Sequence, residues 1–451
     1  MSQGMTTLCL DSLRACFEGA VPSMLATCDP AGVPNVTYVS QVHYVDEQHV
    51  ALSFQFFNKT RENILANPQA TVLLIHPDTA AFYRLALLYR RTETEGPLFE
   101  SMKAKLAGIA SQTGMSGVFR LQGSDVYQVL DIEPVPGAPA AALPAPRSRL
   151  TALRALLPAI SASTDLGALL ERTLSGLATH FGIGHAMILF VDGEKLYTVA
   201  SRGYAESGIG SEFPLGRGVI GVAAQHRTPI RIQHMASEYA YSRAIREHAE
   251  SAGLTDLLET EIPFPGLREP HSQLAVPVLA AGRLLGVLHV EAAEPWRFSW
   301  EDEDALVAVA ALLGEAALAT QQAAENLDET TPGGDMRVAD TATGAPLAVR
   351  RYTQNDSVFL GDDYLIKGVA GAILWRLLDL HVRDKRCDFS NRELRLDRSL
   401  KLPDIDDNLE ARLILLQKRL AERDRGIAIE KTGRGRFRLV VRRPLLLQEV
   451  R

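Results

Sequence analysis

At 451 residues the chain is too long for one small module, and about 150 residues per domain predicts roughly three. With 46% hydrophobic and 22% charged residues it is not a disordered or fibrous polymer. The net charge of −7 conceals an asymmetry: residues 345–451 hold 23 Lys and Arg against 16 Asp and Glu, a net +7 that leaves −14 on the remainder and predicts a nucleic-acid-facing or membrane-facing end.

The chain opens with MSQGMTTLCLDSLRACFEG, where no basic region precedes the apolar stretch and Asp11 interrupts it, so no secretory signal is expected. Four scattered cysteines (Cys9, Cys16, Cys28, Cys387) predict a reducing cytoplasm rather than a disulfide framework. Residues 1–133 form a first block of short β-branched and aromatic runs, VPSMLATCD, PAGVPNVTYVSQVHYVD, HVALSFQFF, ATVLLIHP and YRLALLYRRTE, separated by turn signals. An antiparallel barrel satisfies such strands. Short helices are expected from Lys59 to Asn67, ended by Pro68, and from about Pro97 to Ile109. Residues 134–147, PVPGAPAAALPAPR, read as an extended proline-rich linker.

Within the first block, PNVTYVSQV followed by FFNKTRENILANPQATVLLI resembles the pyridoxamine 5′-phosphate oxidase-like FMN-binding split barrels, over about residues 15–135. The resemblance implies FMN held at a homodimer interface. Tyr38, Val39, Ser40 and Gln41 would line the ring, and Asn58, Lys59, Thr60 and Asn63 would meet phosphate and ribityl. A helix opening at Lys59 and Thr60 offers free N–H groups and a dipole that favour an anion. The family's usual arginine has no counterpart between Tyr38 and His43, which bears on oxidase catalysis more than on binding. The alternative is a barrel that keeps the fold without flavin.

Residues 148–324 mix helical and strand periods. RLTALRALLPAISASTDLGALLERTLSGLATHFG predicts two helices with a restart near Asp165. Strands follow at AMILFVD, KLYTVASRG, TPIRIQ, SQLAVPVLAA and RLLGVLHVEA, the last two joined by an Ala281-Gly282 turn, and a long helix from Asp302 to Gln322 closes the block. The stretch Gly216-Arg217-Gly218-Val219-Ile220-Gly221 formally matches GxGxxG, but no parallel βαβ unit surrounds it. LGRGVIGVAAQHRTPIRI, SQLAVPVLAAGRLLGVLHVEA and WRFSWEDEDALVAVAALLGEAA, in that order, resemble GAF sensor domains over about residues 150–322. That resemblance implies a small-ligand pocket for a cyclic nucleotide, bilin or haem, or a dimerisation role. The candidate pocket groups are His226, His234, Tyr239, Tyr241, Arg243 and His271. No cysteine lies between residues 29 and 386, which excludes a thioether-bound bilin or an iron–sulfur cluster in this block. Trp296, Phe298 and Trp300 are expected to pack as apolar aromatics. The stripe Leu306, Val309, Leu312, Leu313 and Ala316 offers a surface for pairing with a twin helix in a dimer.

Residues 325–346 read as a flexible linker. Residues 347–451 predict a strand pair near RRYTQNDSVFLGDDYLI, then helices at GVAGAILWRLLDLHVRD, NRELRLDRSL and DNLEARLILLQKRLAERD, and a hairpin at IAIEKTGRGRFRLVV. This block resembles the winged-helix output domains of bacterial response regulators over about 350–442. The resemblance implies DNA contacts from Asn408, Arg412, Lys418 and Arg419 on the helix and from Lys431, Arg434 and Arg436 on the wing. Ile414, Leu415 and Gln417 stand where that family's helix is polar or basic, so the helix either reads bases poorly or packs against a partner or second protomer.

The expected architecture is therefore multidomain α+β: an antiparallel split β-barrel, a GAF sheet with helices, and a winged helix-turn-helix. The expected protein is a cytoplasmic, homodimeric, signal-responsive DNA-binding regulator with FMN as cofactor, an unknown GAF ligand, no metal site and no membrane span. The alternatives are an FMN-dependent oxidoreductase with regulatory domains, or a scaffold whose last domain binds a protein. No hydrolase elbow, phosphate-binding GxxxxGK[ST], HExxH or CxxC spacing is present.

Overall fold

A computed structural model describes residues 8–17, 23–39, 41–54, 59–76, 79–112, 121–137, 149–232, 262–328, 344–400, 409–433 and 435–450. Seven strands of the first block, β1 (Ser23–Cys28), β2 (Pro34–Val39), β3 (Val42–Asp46), β4 (His49–Phe54), β5 (Gln69–Ile75), β6 (Phe82–Glu93) and β7 (Gly123–Pro134), form one antiparallel sheet in the order β2-β1-β5-β6-β7-β4-β3. The alternating burial of β5, with Ala70, Val72 and Leu74 inward, is the half-buried pattern a curled sheet requires. The run PNVTYVSQVHYVD holds two strands rather than one: β2 ends at Val39 and β3 begins at Val42, and they lie at opposite ends of the strand order. A 3-10 turn at Leu10–Phe17 and helices α1 (Lys59–Ala66) and α2 (Pro97–Gln112) complete the block.

The second block is a six-stranded antiparallel sheet in the order β10-β9-β8-β13-β12-β11, built from β8 (His185–Asp192), β9 (Lys195–Arg202), β10 (Glu212–Pro214), β11 (Ile230–Ile232), β12 (Ser272–Ala280) and β13 (Arg283–Ala292). Ala281 and Gly282 both take positive φ, as a two-residue hairpin turn demands. Helices α3 (Arg149–Ser161) and α4 (Leu166–Phe181) pack with a 29-residue helix, α6 (Trp300–Asp328). On the opposite face lies α5 (Gly218–His226), which buries Val219, Ile220 and Val222 against Met187, Leu189 and Val287. Asp165 caps α4 by accepting from the Ala168 N–H at 3.0 Å, which explains the helix restart.

The GxGxxG stretch has a structural use. Gly218 opens α5 at positive φ, and a Cβ on Gly221 would lie 2.3 Å from the Pro214 carbonyl oxygen, so the helix can sit tightly on the turn after β10 only without a side chain there. The stripe on α6 is likewise spent within the chain: Leu306, Val309 and Leu313 are fully buried, and α6 packs on β12, α3 and α4, so these residues offer nothing to a twin helix.

In the third block β14 (Leu347–Tyr352), β15 (Ser357–Leu360) and β16 (Asp363–Ile366) are joined by β20 (Leu445–Val450), which pairs in parallel with β14. Three helices follow β16: α7 (Gly368–Asp384), α8 (Asn391–Leu396) and α9 (Leu409–Arg423). The hairpin β18 (Ile427–Gly433) and β19 (Arg436–Val441) pairs with β17 (Asp388–Ser390). Ser390 and Glu393 form a reciprocal capping box at the start of α8.

Candidate functional sites

In the barrel, α1 brings Lys59, Thr60 and Asn63 together, but two of them turn inward. The Thr60 hydroxyl accepts from the Asn35 amide at 2.8 Å, and the Asn63 amide donates to the Thr27 hydroxyl at 3.1 Å. Lys59 stays exposed, 3.6 Å from Asp29. The Val33 N–H, backed by the Ala31 N–H and Lys59, holds the Asp29 carboxyl below its usual range against the opposing effect of burial. Tyr38 and Val39 point to opposite faces of β2: Tyr38 is 76% exposed beside Val36 on the outer face, and Val39 is buried. They do not line one surface, because side chains alternate along a strand. Gln41 and Asn63 each bury a side-chain oxygen with no hydrogen-bond partner among the described residues. Ser40 and Asn58 lie outside the described residues.

Arg61, in the midst of the NKTREN run but assigned no role from sequence, anchors α1 from below. It donates to Asp125 at 2.6 Å and to Thr92 at 2.8 Å, and stacks over Phe54 and Tyr89. Burial pushes the Asp125 carboxyl up while Thr92 and Arg61 oppose the shift.

On the α5 face of the second sheet, residues in register form a polar row: His185 on β8, Glu291 on β13 and Gln273 on β12. One step along, His289 lies beside Met187 and Ala275. His289 is buried, its ring nitrogens have no hydrogen-bond partner among the described residues, and burial lowers its pKa to about 3, so the ring is neutral. The Glu291 carboxylate accepts from the Leu267 N–H at 2.7 Å, and burial pushes its pKa up to about 7. The Tyr204 ring packs on His185, and its hydroxyl lies beside Glu291 without closing a hydrogen bond of normal geometry. No sequence motif marks this cluster. The available signal was His289 and Glu291 two apart in LLGVLHVEA, which puts two polar groups on the same face of an apolar strand.

The pocket candidates proposed from sequence lie elsewhere. His226 ends α5 at the barrel, where its Nδ1 stands 3.0 Å from Glu100 of α2, and is therefore an interdomain contact. His271 enters the sheet through its backbone N–H, which donates to the Ala292 carbonyl at 2.9 Å. His234, Tyr239, Tyr241 and Arg243 lie outside the described residues. Phe298 is core, whereas Trp300 pins the barrel to the second domain. Its indole N–H donates to the Arg14 carbonyl at 2.6 Å, and Arg14, Lys105 and Arg231 surround its ring at 4.9, 4.8 and 4.3 Å.

The basic residues of α9 are turned into the protein. Arg412 is buried and meets Asp192 of the second domain bidentately at 2.8 and 3.2 Å, with Tyr197 beneath its guanidinium. Lys418 donates to the Val199 carbonyl at 3.3 Å, and Arg419 to the Leu365 carbonyl at 3.2 Å and to Glu422. In this conformation none of the three presents its charge to an outside phosphate: Arg412 and Lys418 are bound by the neighbouring domain, and Arg419 by β16 and Glu422 of its own domain. Lys431 on the hairpin lies 3.6 Å from Asp165 and 3.7 Å from Glu410, at a cleft also lined by Ile414, Arg436 and Phe437. Asn408 and Arg434 lie outside the described residues. Among the described residues, no three His, Cys, Asp or Glu side chains cluster as metal ligands, and no helix is long and apolar enough to cross a membrane.

Residues 163–316 match the family model of the GAF domain, and residues 10–133 that of pyridoxamine 5′-phosphate oxidase. No curated protein matches the chain. Similar solved structures include the GAF domain of an Acinetobacter phosphoenolpyruvate-protein phosphotransferase, at 22% identity and TM-score 0.30, covering 39% of this chain and 95% of that one. A putative GAF sensor protein from Burkholderia vietnamiensis is 20% identical with TM-score 0.30, over 41% of this chain and 99% of the other. An FMN-binding protein from Syntrophomonas wolfei subsp. wolfei is 16% identical with TM-score 0.24, over 29% of this chain and 87% of the other. The chain thus carries a pyridoxamine 5′-phosphate oxidase-like domain followed by a GAF domain, within a multidomain α+β architecture.

Proposed function

We propose that this protein is a cytoplasmic one-component transcriptional regulator, in which the barrel and the GAF domain sense a redox or small-molecule signal and residues 347–451 act as a winged helix that binds DNA. The observation that carries this reading is the arrangement of the last block. Three helices lead into a hairpin whose turn region bears Lys431, Arg434 and Arg436, in the segment that holds the chain's basic excess.

The sensory half is supported by the polar row under α5 and by the barrel surface. Glu291, Gln273, His185 and His289 place acceptors and a neutral imidazole on an otherwise apolar sheet face, the chemistry with which a polar ligand would be recognised. The barrel residues fit FMN only in part: exposed Lys59 at the start of α1 suits its phosphate, the amide oxygens of Gln41 and Asn63 accept hydrogen bonds and so suit ribityl hydroxyls rather than phosphate, and Thr60 is already engaged with Asn35. Bound FMN would supply one- and two-electron redox chemistry there. Exposed Val36 and Tyr38 on the edge strand β2, with Leu65 of α1 also exposed, supply an apolar surface for a second copy.

A mobility-shift titration of the full chain with duplex DNA at several salt concentrations tests this reading, and a shift that weakens as salt rises is expected. Failure to shift DNA at low salt contradicts the regulator. If the protein is then yellow with FMN and turns over a nicotinamide donor, the oxidoreductase reading replaces it.

A further inference from the structure

From the contacts between the GAF domain and α9 we infer that the β9–β10 edge of the GAF domain is a docking surface that reversibly holds α9 and withholds its basic residues from DNA. The inference rests on the DNA-binding reading for its consequence but not for its geometry.

The docking surface is built for this helix in three places. Arg412 is fixed by the bidentate pair with Asp192. Lys418 caps a carbonyl that the sheet itself sets apart: β9 pairs Ala200 with Ile188 and Thr198 with Leu189, so Val199 is a bulge residue outside the ladder. At the far end of the helix Ser207 donates to Glu422. Between these polar ties, apolar side chains of the last domain reach the GAF backbone at ordinary van der Waals range. A Cβ on Gly210 would stand 3.7 Å from Leu415 Cδ1 and 3.5 Å from Ile366 Cδ1, and one on Gly167 would stand 3.9 Å from Ile414 Cδ1.

The apolar Ile414 and Leu415, anomalous on a helix meant only for DNA, are therefore covered by the chain's own GAF domain. An arginine, a lysine and a helix face that would meet phosphates are all turned to one surface, held by an ion pair, side-chain hydrogen bonds and apolar residues continuous with the buried core of the GAF domain. Such interfaces within a chain open more readily than a domain core. The segment linking β9 to β10 also joins the two sites. Tyr204 lies on the polar row of the GAF sheet, while Ser207 and Gly210, a few residues on, touch the output domain. A ligand that repositions Tyr204 thus acts on the segment that holds α9.

The test is Asp192→Arg in the full chain, with every residue of α9 unchanged. Asp192 is partly exposed, and circular dichroism checks the fold; Asp192→Asn serves as a second, milder variant. Small-angle scattering should show expansion, and anisotropy with a labelled duplex should show an affinity gain of about tenfold for Asp192→Arg and about threefold for Asp192→Asn, the size of one charge-pair restraint removed. Folded variants with unchanged dimensions and unchanged affinity overturn the inference. A gain in affinity without expansion also overturns it, since the added charge would then be the cause. Expansion without DNA binding in any form supports the docking surface and overturns the DNA-binding reading instead.

Discussion

Replacing Arg231 with leucine is expected to destabilise the protein by about 3–5 kcal/mol, because it strips a buried carboxylate of its partner. Arg231, on β11, is 2% exposed at its side chain and donates to Glu303 of α6 at 2.7 Å. Burial alone would push the Glu303 carboxyl up, but Lys105 and Arg231 outweigh it and hold the group below its usual range, so it is charged. Without Arg231 that charge keeps only Lys105 of α2 as a strong neighbour, and the Trp300 ring is deprived of the nearest of its three cations. Barrel and GAF domain meet at this point, so the damage should also appear as separate unfolding of the two. Urea unfolding of Arg231→Leu and of the double variant Arg231→Leu/Glu303→Leu measures both effects. The double variant should recover most of the stability, since it removes both charges. Equal stability of wild type and Arg231→Leu would show that the pair is not an anchor.

Glu291→Gln is expected to stabilise the GAF domain at alkaline pH, by on the order of 3 kcal/mol at pH 8 and little at pH 5. Unfolded, Glu291 titrates near the ordinary 4.5; folded, burial raises it to about 7. The folded state holds the proton more tightly, so the stability this group contributes is fully present below about 4.5 and is lost as pH rises through 7. Glutamine cannot ionise and removes that loss. Urea midpoints of wild type and variant across pH 5–8 should converge at the acidic end and separate at the alkaline end. Parallel curves would mean that Glu291 is solvated and not buried on the sheet.

Local signals carried much of this architecture. The restart at Asp165, the Ala281-Gly282 turn and the hairpin after α9 each declare themselves within a few residues, because caps and tight turns are local chemistry. Strand β20 did not, since LLLQEV pairs with β14 about a hundred residues upstream and nothing near it names that partner. The same limit hid the sites. By sequence His226 belongs to a pocket, yet it faces the barrel; by sequence Arg412, Lys418 and Arg419 belong to phosphates, yet they are turned inward. Which of two surfaces claims a side chain depends on how domains pack, and helical spacing is blind to that. The misfit of Ile414 and Leu415 on α9 was nevertheless legible, and it pointed to a covered helix face.

The proposed DNA-binding role of residues 347–451 is tested by the salt dependence of duplex binding, followed by anisotropy, for the full chain and for the variant with Lys431, Arg434 and Arg436 all changed to alanine. The wild-type affinity should fall steeply with salt, and the slope of log affinity against log salt should shrink by roughly 3 in the variant, about one for each phosphate no longer neutralised. Equal slopes for the two proteins, or no binding by the wild type even at low salt, would contradict the account.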